Sequence, residues 1–270
     1  MGADGARDLE VLFRVCSAVH YVFRQYVRAP LRGEVVAMGA DGSPTERLDR
    51  VAESQLLAAL DAEQVDWNVL SEEAGEIARG GDRLLVVDPI DGSHNALREL
   101  PFATVSLALG RRDLGGVDVG VVHDLHRGTT YWATRGGGAF RDGKPIRTRA
   151  WEPPRELYFV NLGRHASEPA VKLAAKGRRI RSLGCASFEL LMVAQGGADA
   201  YLFDNDTPER NLRVTDIAAA ALILEEAGGG VSDRSFHPLG GMPLALGRRT
   251  SVLGWGDPKF PKAAAELGLL

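Results

Sequence analysis

The segment of residues 84–95 constrains the fold most tightly, because a continuous apolar run leads directly into two carboxylates. Four apolar residues precede Asp88, and Pro89 and Ile90 separate it from Asp91. Such a run predicts a buried strand that fixes Asp88 at its end. Pro89 restricts the following turn, so that Asp91 and the carbonyl of Ile90 face the same point. These are oxygen ligands of the kind that Mg²⁺ prefers, whereas the alternative is an ordinary β-turn.

The residues that follow these carboxylates suit an anion. Gly92 and Ser93 offer backbone N–H groups at a turn or at the start of a helix. Such groups can hold a phosphate oxygen. The segment therefore predicts a place where a metal ion and a phosphate meet.

Two other acidic positions extend this prediction. Glu72 follows a strand predicted over residues 65–70, and Asp216 lies in the first turn of an alanine-rich helix predicted over residues 216–227. Acids in a loop are commonly solvated, and an acid at a helix start complements the helix dipole. These two interpretations stand as alternatives to a metal-binding role.

The first half of the chain predicts two helices followed by strands. Apolar residues at helical spacing predict helices over residues 9–27 and 46–60, the second capped by Thr45. Apolar or alternating runs predict strands over residues 65–70, 84–87, 104–109, 117–123 and 129–134. Asp142 and Gly143 predict a hairpin turn between strands 139–141 and 146–148.

Beyond Trp151 the pattern changes, and Pro153 and Pro154 mark a boundary. Strands predicted over residues 157–161, 179–183, 199–203 and 251–255 alternate with helices over 167–176, 186–195, 216–227 and 258–267. This alternation indicates an α/β domain. We expect two α/β halves joined near residue 150, with the site in the cleft between them.

Composition narrows the class of partner. Lys and Arg total 32 against 36 for Asp and Glu, a net charge of −4 that disfavours general nucleic-acid binding. Two cysteines without zinc spacing favour a reducing cytoplasm. The longest apolar run, residues 217–224, is too short to cross a bilayer, so no membrane association is expected. The basic clusters at residues 178–181 and 210–213 are either solvated or line a pocket for an anionic substrate.

Taken together, these motifs resemble the inositol monophosphatase family of the lithium-sensitive, metal-dependent sugar phosphatases. Residues 88–95 match the first family signature, residues 71–73 the acidic loop, and residues 216–219 with 226–229 the second signature. Residues 181–186 and 196–201 also look like family segments. Residues 40–45 and 212–216 resemble the archaeal branch, whose members often accept both inositol monophosphate and fructose 1,6-bisphosphate.

The resemblance implies an α/β fold, a layered αβαβα sandwich. Its N-terminal α+β half would span residues 1–149, and its C-terminal α/β half, residues 150–270, would contribute Asp216 and the substrate loops. It also implies a homodimer and a small phosphorylated polyol or sugar as substrate. A 3′(2′),5′-bisphosphate nucleotidase and a catalytically inactive relative of the same fold are the alternatives.

Residue roles follow from the same resemblance. Two or three Mg²⁺ ions would be held by Glu72, Asp88, the Ile90 carbonyl, Asp91 and Asp216. Ser93, supported by Asp49, would orient the attacking water, and Glu72 would share in catalysis. The implied substrate-binding positions are Asp91, Gly92, Ser93, Arg181, Gly184, Cys185, Ala186 and Arg213. Asp49 could instead be an exposed helix acid, and His94 either touches substrate or lies at the cleft wall.

Overall fold

The computed structural model describes residues 3–40, 42 and 44–268, so positions 41 and 43 of the archaeal-like segment lie outside the described residues. The chain begins with helix α1 (Ala3–Tyr26) and an antiparallel pair of strands, β1 (Val35–Met38) and β2 (Pro44–Glu46). Helix α2 (Arg47–Ala62) follows directly. Apolar residues at helical spacing bury one face of each helix, as the sequence predicted.

A large mixed sheet comes next. Its strands are β3 (Asn68–Ser71), β4 (Gly75–Ile77), β5 (Leu84–Asp91), β6 (Thr104–Gly110), β7 (Val117–Asp124), β8 (Thr130–Thr134), β9 (Gly138–Arg141) and β10 (Lys144–Ile146). Helix α3 (Ser93–Leu97) follows β5. The spatial order is β10-β9-β8-β7-β6-β5-β3-β4. Strands β3 and β5 run parallel, so their carboxyl ends lie at the same edge of the sheet.

The rest of the chain builds a smaller sheet and four helices among the described residues. Its elements are β11 (Tyr158–Val160), α4 (Glu168–Lys176), β12 (Ile180–Arg181), α5 (Ala186–Ala194), β13 (Ala200–Phe203), β14 (Leu212–Arg213), α6 (Val214–Glu226), β15 (Gly230–Ser232), β16 (Arg249–Thr250), β17 (Val252–Trp255) and α7 (Phe260–Glu266). The sheet order is β12-β11-β13-β17-β15, and β14 pairs separately with β16.

These elements stack in the predicted αβαβα order. Helices α1 and α2 cover one face of the large sheet, and α5 and α6 lie between the two sheets. Helices α4 and α7 cover the outer face of the smaller sheet. Helix α6 packs so closely on β7 that a Cβ atom added to Gly120 would lie 2.8 Å from the carbonyl oxygen of Ala219. This packing sets the start of α6, with Asp216, against the edge where β5 ends.

Most predicted elements are confirmed within a few residues, but one detail is wrong. Glu46, not Thr45, occupies the N-cap of α2, because Thr45 lies in β2 and its buried hydroxyl donates to Glu73. The hairpin turn is confirmed, with φ of 47° at Asp142 and 76° at Gly143, although its second strand begins two residues earlier than predicted. Six short strands were not predicted: β1, β2, β4, β14, β15 and β16.

The middle layer joins the two predicted halves. One apolar core contains Val86 from the large sheet together with Ile217 of α6 and Tyr201 of β13. The division near residue 150 stays a prediction. None of the described helices combines the length and the apolar character that a bilayer crossing requires.

Candidate active site

Three carboxylates from distant parts of the chain meet at the carboxyl edge of the large sheet. Ser71 pairs with Val87 across β3 and β5, so the next residues, Glu72 and Asp88, are neighbours. Asp216, in the first turn of α6, completes the group, and all three residues offer oxygen atoms within 4.8 Å of one another. Asp88 is only 4% exposed, which is incompatible with a solvated turn. The arrangement could hold a metal ion.

A β-bulge turns Asp91 towards the side of the sheet that Asp88 faces. Asp88 pairs with Ser106 and Asp91 with Thr104, so β5 carries one more residue than β6 between these pairs. In a regular strand, residues three apart face opposite sides of the sheet. The extra residue of the bulge lets Asp88 and Asp91 face the same side. The Ile90 N–H donates to Asp88 Oδ1 at 3.0 Å within the bulge. The inward direction of the Ile90 carbonyl stays a prediction.

The start of α5 holds the Asp91 carboxylate. Its Oδ2 atom accepts hydrogen bonds from the backbone N–H of Ser187 at 2.7 Å and from the Ser187 hydroxyl at 2.5 Å, and the Cys185 thiol lies 3.3 Å away. Thr104 in turn lies 2.6 Å from the Ser187 hydroxyl. Sequence reasoning missed Ser187, although its place in the first turn of a helix beside Cys185 was a usable signal.

Burial and mutual repulsion raise the pKa values of these acids. The pKa of Asp88 lies well above its usual value because the group is buried and faces Glu72, Asp91 and Asp216. Burial and the charge of Asp91 raise the pKa of Asp216 to about 6. A cation that neutralises the cluster would relieve this repulsion.

A cavity of about 410 Å³ opens beside the cluster. Asp49 and Ser93 both line it, together with Glu72, Asp88 and the exposed His94. Ser93 begins α3 immediately after Gly92, whose φ of 84° and closeness to the Phe102 carbonyl exclude a side chain.

Asp49 is buried rather than exposed. It is 5% accessible, and its pKa rises to about 8 because of burial, Glu46 and Glu73. The alternative of a solvated helix acid is therefore wrong. Ser93 and Asp49 both lie on the cavity wall. Among the described residues, no direct hydrogen bond joins these two side chains.

A second buried carboxylate supports the turn that carries Glu72. Glu53 of α2 is 2% exposed and accepts hydrogen bonds from the Ser71 hydroxyl and from the Ala74 N–H, the latter at 2.9 Å. These bonds tie both sides of the turn to α2. Glu53 therefore positions Glu72 without lining the cavity itself.

The sequence matches the inositol monophosphatase family over residues 6–254. This chain belongs to the inositol monophosphatase family. It is 35% identical over 263 residues to a fructose-1,6-bisphosphatase/inositol-1-monophosphatase of Methanothermobacter thermautotrophicus, a match covering 92% of this chain and 91% of the relative. It is also 30% identical to a bifunctional NADP phosphatase/NAD kinase of Methanococcus maripaludis. That match includes 91% of this chain but only 46% of the relative. The solved IMPase of Thermotoga maritima superposes with a TM-score of 0.76 at 25% identity, covering 97% and 96% of the two chains.

In this inositol monophosphatase family member, the predicted substrate residues fall into two groups. Cys185 and Ala186 lie against Asp91. Gly184 belongs to the preceding turn, where the Asn95 side-chain amide donates to the carbonyls of Leu183 at 2.8 Å and Gly184 at 3.1 Å. Arg181 is exposed and donates to the Ile180 carbonyl, away from the residues that line the described cavity. Their contact with substrate stays a prediction.

Arg213 links two members of the acidic cluster, Glu72 and Asp216. Its Nη1 atom lies 2.7 Å from Glu72 Oε1, and its backbone N–H donates to Asp216 Oδ2 at 2.7 Å. The residue is 7% exposed, so its charge lies inside the site rather than on the surface. We predicted Arg213 to bind substrate, and the structure pairs it with Glu72.

Proposed function

We propose that this protein is a Mg²⁺-dependent phosphomonoesterase that hydrolyses inositol monophosphate, fructose 1,6-bisphosphate or both. The observation that carries the proposal is the convergence of Glu72, Asp88 and Asp216, whose oxygen atoms lie within 4.8 Å. The name of the Methanothermobacter relative supports both substrates.

The donor set fits magnesium. Glu72, Asp88, Asp91 and Asp216 supply hard oxygen ligands, and the Ile90 carbonyl would add another. These residues would hold two or three ions. When bound, Mg²⁺ neutralises the carboxylates, lowers the pKa of a water molecule and stabilises charge on the phosphate and the leaving oxygen.

The side chains of the cavity wall then orient the reactants. The Ser93 hydroxyl holds the attacking water, and Asp49, on the same cavity wall, would support that hydroxyl through an intervening water, since no direct hydrogen bond joins these two described side chains. The N–H groups of Gly92 and Ser93 hold phosphate oxygens. Water attacks phosphorus in line as the sugar oxygen leaves, and no covalent phosphoenzyme forms.

The second candidate substrate is NADP. The Methanococcus relative named as a bifunctional NADP phosphatase/NAD kinase aligns with 91% of this chain, which covers less than half of that protein. The phosphate of NADP that such an enzyme removes is also a monoester on a sugar, so the same carboxylates and the same water would serve.

A substrate panel with Mg²⁺ titration tests the proposal. Phosphate release is measured from inositol 1-phosphate, fructose 1,6-bisphosphate, NADP and phosphoadenosine phosphate. We expect Mg²⁺-dependent release from at least one of the first two, and release from the last alone would favour the nucleotidase alternative. Asp91→Asn should abolish turnover with an unchanged fold, whereas the exposed Asp206→Asn serves as the matched control. Retained turnover in Asp91→Asn would remove its assignment as a metal ligand.

Three further expectations belong to the same proposal: the oligomeric state, the location and the division of the chain. We infer a homodimer, testable by light scattering, from the family resemblance. A cytoplasmic location is supported by two cysteines, Cys16 and Cys185, that are both free. Halves spanning residues 1–149 and 150–270 would each contribute metal ligands.

A further inference from the structure

Two histidines outside the active site are in direct contact. His20 lies on α1 and His123 on β7, and Nδ1 of His20 is 2.6 Å from Nε2 of His123. Their rings are nearly perpendicular, with an interplanar angle of 66° and centroids 4.9 Å apart. The pair thus joins the outer helical layer to the large sheet at a point that no motif had indicated.

The two imidazoles differ in freedom. His123 is 8% exposed, and the Thr130 hydroxyl lies 2.8 Å from its Nδ1 atom, so its Nε2 atom is held towards His20. His20 borders a cavity of about 490 Å³, which is also lined by Tyr21 and Gln25. His123 is therefore fixed in orientation, whereas His20 has room to move and space for water beside it.

Both imidazoles are neutral near pH 7, the form that binds metals. Burial, together with His20, lowers the pKa of His123 to about 4, and burial and Arg24 lower the pKa of His20. Asp124 opposes both shifts, and Asp142 opposes that of His123. These carboxylates favour a cation, whereas the Arg24 guanidinium, which also lines the cavity, opposes one.

We propose that His20 and His123 form a binding site for a borderline transition-metal ion such as Zn²⁺ or Cu²⁺, separate from the acidic cluster. Imidazole nitrogen suits these ions, whereas Mg²⁺ prefers carboxylates. With tetrahedral geometry and Zn–N distances of about 2.0–2.1 Å, the two nitrogens lie about 3.3 Å apart. The N···N distance must therefore lengthen by less than about 1 Å, and the His20 ring must also rotate so that both nitrogen lone pairs point at the ion.

Proton balance is simple at this site. The metal replaces the hydrogen between the two nitrogens, and the ring that carried this hydrogen, whichever of the two it is, takes the proton on its other nitrogen. Both rings stay neutral, and water in the cavity completes the coordination. A bound ion then ties α1 to β7, so binding stabilises the contact between these layers.

Calorimetry tests the site with the tag-free chain in saturating Mg²⁺, which fills the acidic cluster. We expect one Zn²⁺ site whose affinity falls at least about tenfold in His20→Gln and in His123→Gln. His126→Gln, at a neighbouring histidine on the same face, is the matched control and should bind as the wild type does. Cu²⁺ should give an electron paramagnetic resonance spectrum with two nitrogen ligands in the wild type and fewer in either variant.

Thr130→Val provides a separate check because it keeps both ligands. Loss of the hydroxyl that orients His123 should weaken Zn²⁺ binding by about tenfold. Equal Zn²⁺ affinity in the wild type and in His20→Gln would overturn the proposal, as would Zn²⁺ binding that disappears when Mg²⁺ saturates the protein. Circular dichroism confirms folding, and His20→Gln, on the half-exposed face of α1, decides the matter if His123→Gln does not fold. Phosphate release plays no part in this readout, so the result is independent of the proposed activity.

Discussion

Asp216→Asn should stabilise the protein without metal, although it removes a proposed metal ligand. The pKa of Asp216 rises from 3.8 to about 6 on folding because the group is buried beside Asp91. At about 1.36 kcal/mol per pKa unit, ionised Asp216 lowers the free energy of unfolding by about 3 kcal/mol above pH 6. This is an upper limit, because Asp216 is partly exposed to solvent, which screens the repulsion.

The pH dependence follows from the direction of the shift. Between pH 3.8 and about 6 the folded state keeps the Asp216 proton that the unfolded state has released. The folded state binds more protons in this window, so stability falls as pH rises through it and is constant above. Asparagine has no such loss, and its side-chain oxygen can still accept from the Arg213 N–H, which lies 2.7 Å from Asp216.

Denaturant unfolding in EDTA measures this effect. At pH 8 the variant should be more stable than the wild type by up to about 3 kcal/mol, and at pH 4 the two should nearly coincide. The exposed Glu209→Gln controls for loss of an acidic charge. Added Mg²⁺ should then stabilise the wild type much more than the variant, because binding to the folded state alone shifts unfolding. A variant no more stable than the wild type in EDTA at pH 8 would refute the repulsion argument.

Other substitutions test the surroundings of the site. Ser93→Ala should lower kcat with little change in KM, measured as steady-state phosphate release, because its contact matters mainly in the transition state; a change in KM alone would contradict this. Glu53→Ala should lower the free energy of unfolding by about 1–3 kcal/mol, because buried donors lose their acceptor. Mg²⁺ titration should also show weaker Mg²⁺ binding, because Glu72 is no longer held in place. Unchanged Mg²⁺ affinity would oppose a positioning role for Glu53. Asn95→Ala removes the side-chain hydrogen bonds that hold the turn before α5 and should raise KM. An unchanged KM would show that this turn does not take part in substrate binding.

The acidic segments were predictable because each is attached to a regular element. An apolar run before Asp88 and an alanine-rich helix after Asp216 identify a strand end and a helix start without any tertiary information. Their meeting point was not derivable from periodicity. It depends on α6 lying between two sheets, which only the family resemblance implied.

The contacts that support the site could not be predicted from sequence. Ser187 on Asp91, Arg213 on Glu72 and Thr45 on Glu73 each join residues far apart in the chain. Such contacts are set by where short strands and turns lie after packing, and short strands such as β2 carry too few residues for a periodic signal. Propensity alone therefore assigned Thr45 to a cap.

The different partners of the acids indicate where a cation is needed most. Asp91 has the hydrogen-bond donors of Ser187 to compensate its charge, whereas Asp88 has the Ile90 N–H and several neighbouring carboxylates. Hydrogen bonds to a carboxylate favour its charged form, and nearby negative charges oppose it. The unrelieved repulsion is thus concentrated on Asp88, beside Glu72 and Asp216. We therefore expect the tightest ion to bind among these three residues, and the bulge that carries Asp91 to serve an ion or phosphate that arrives after it.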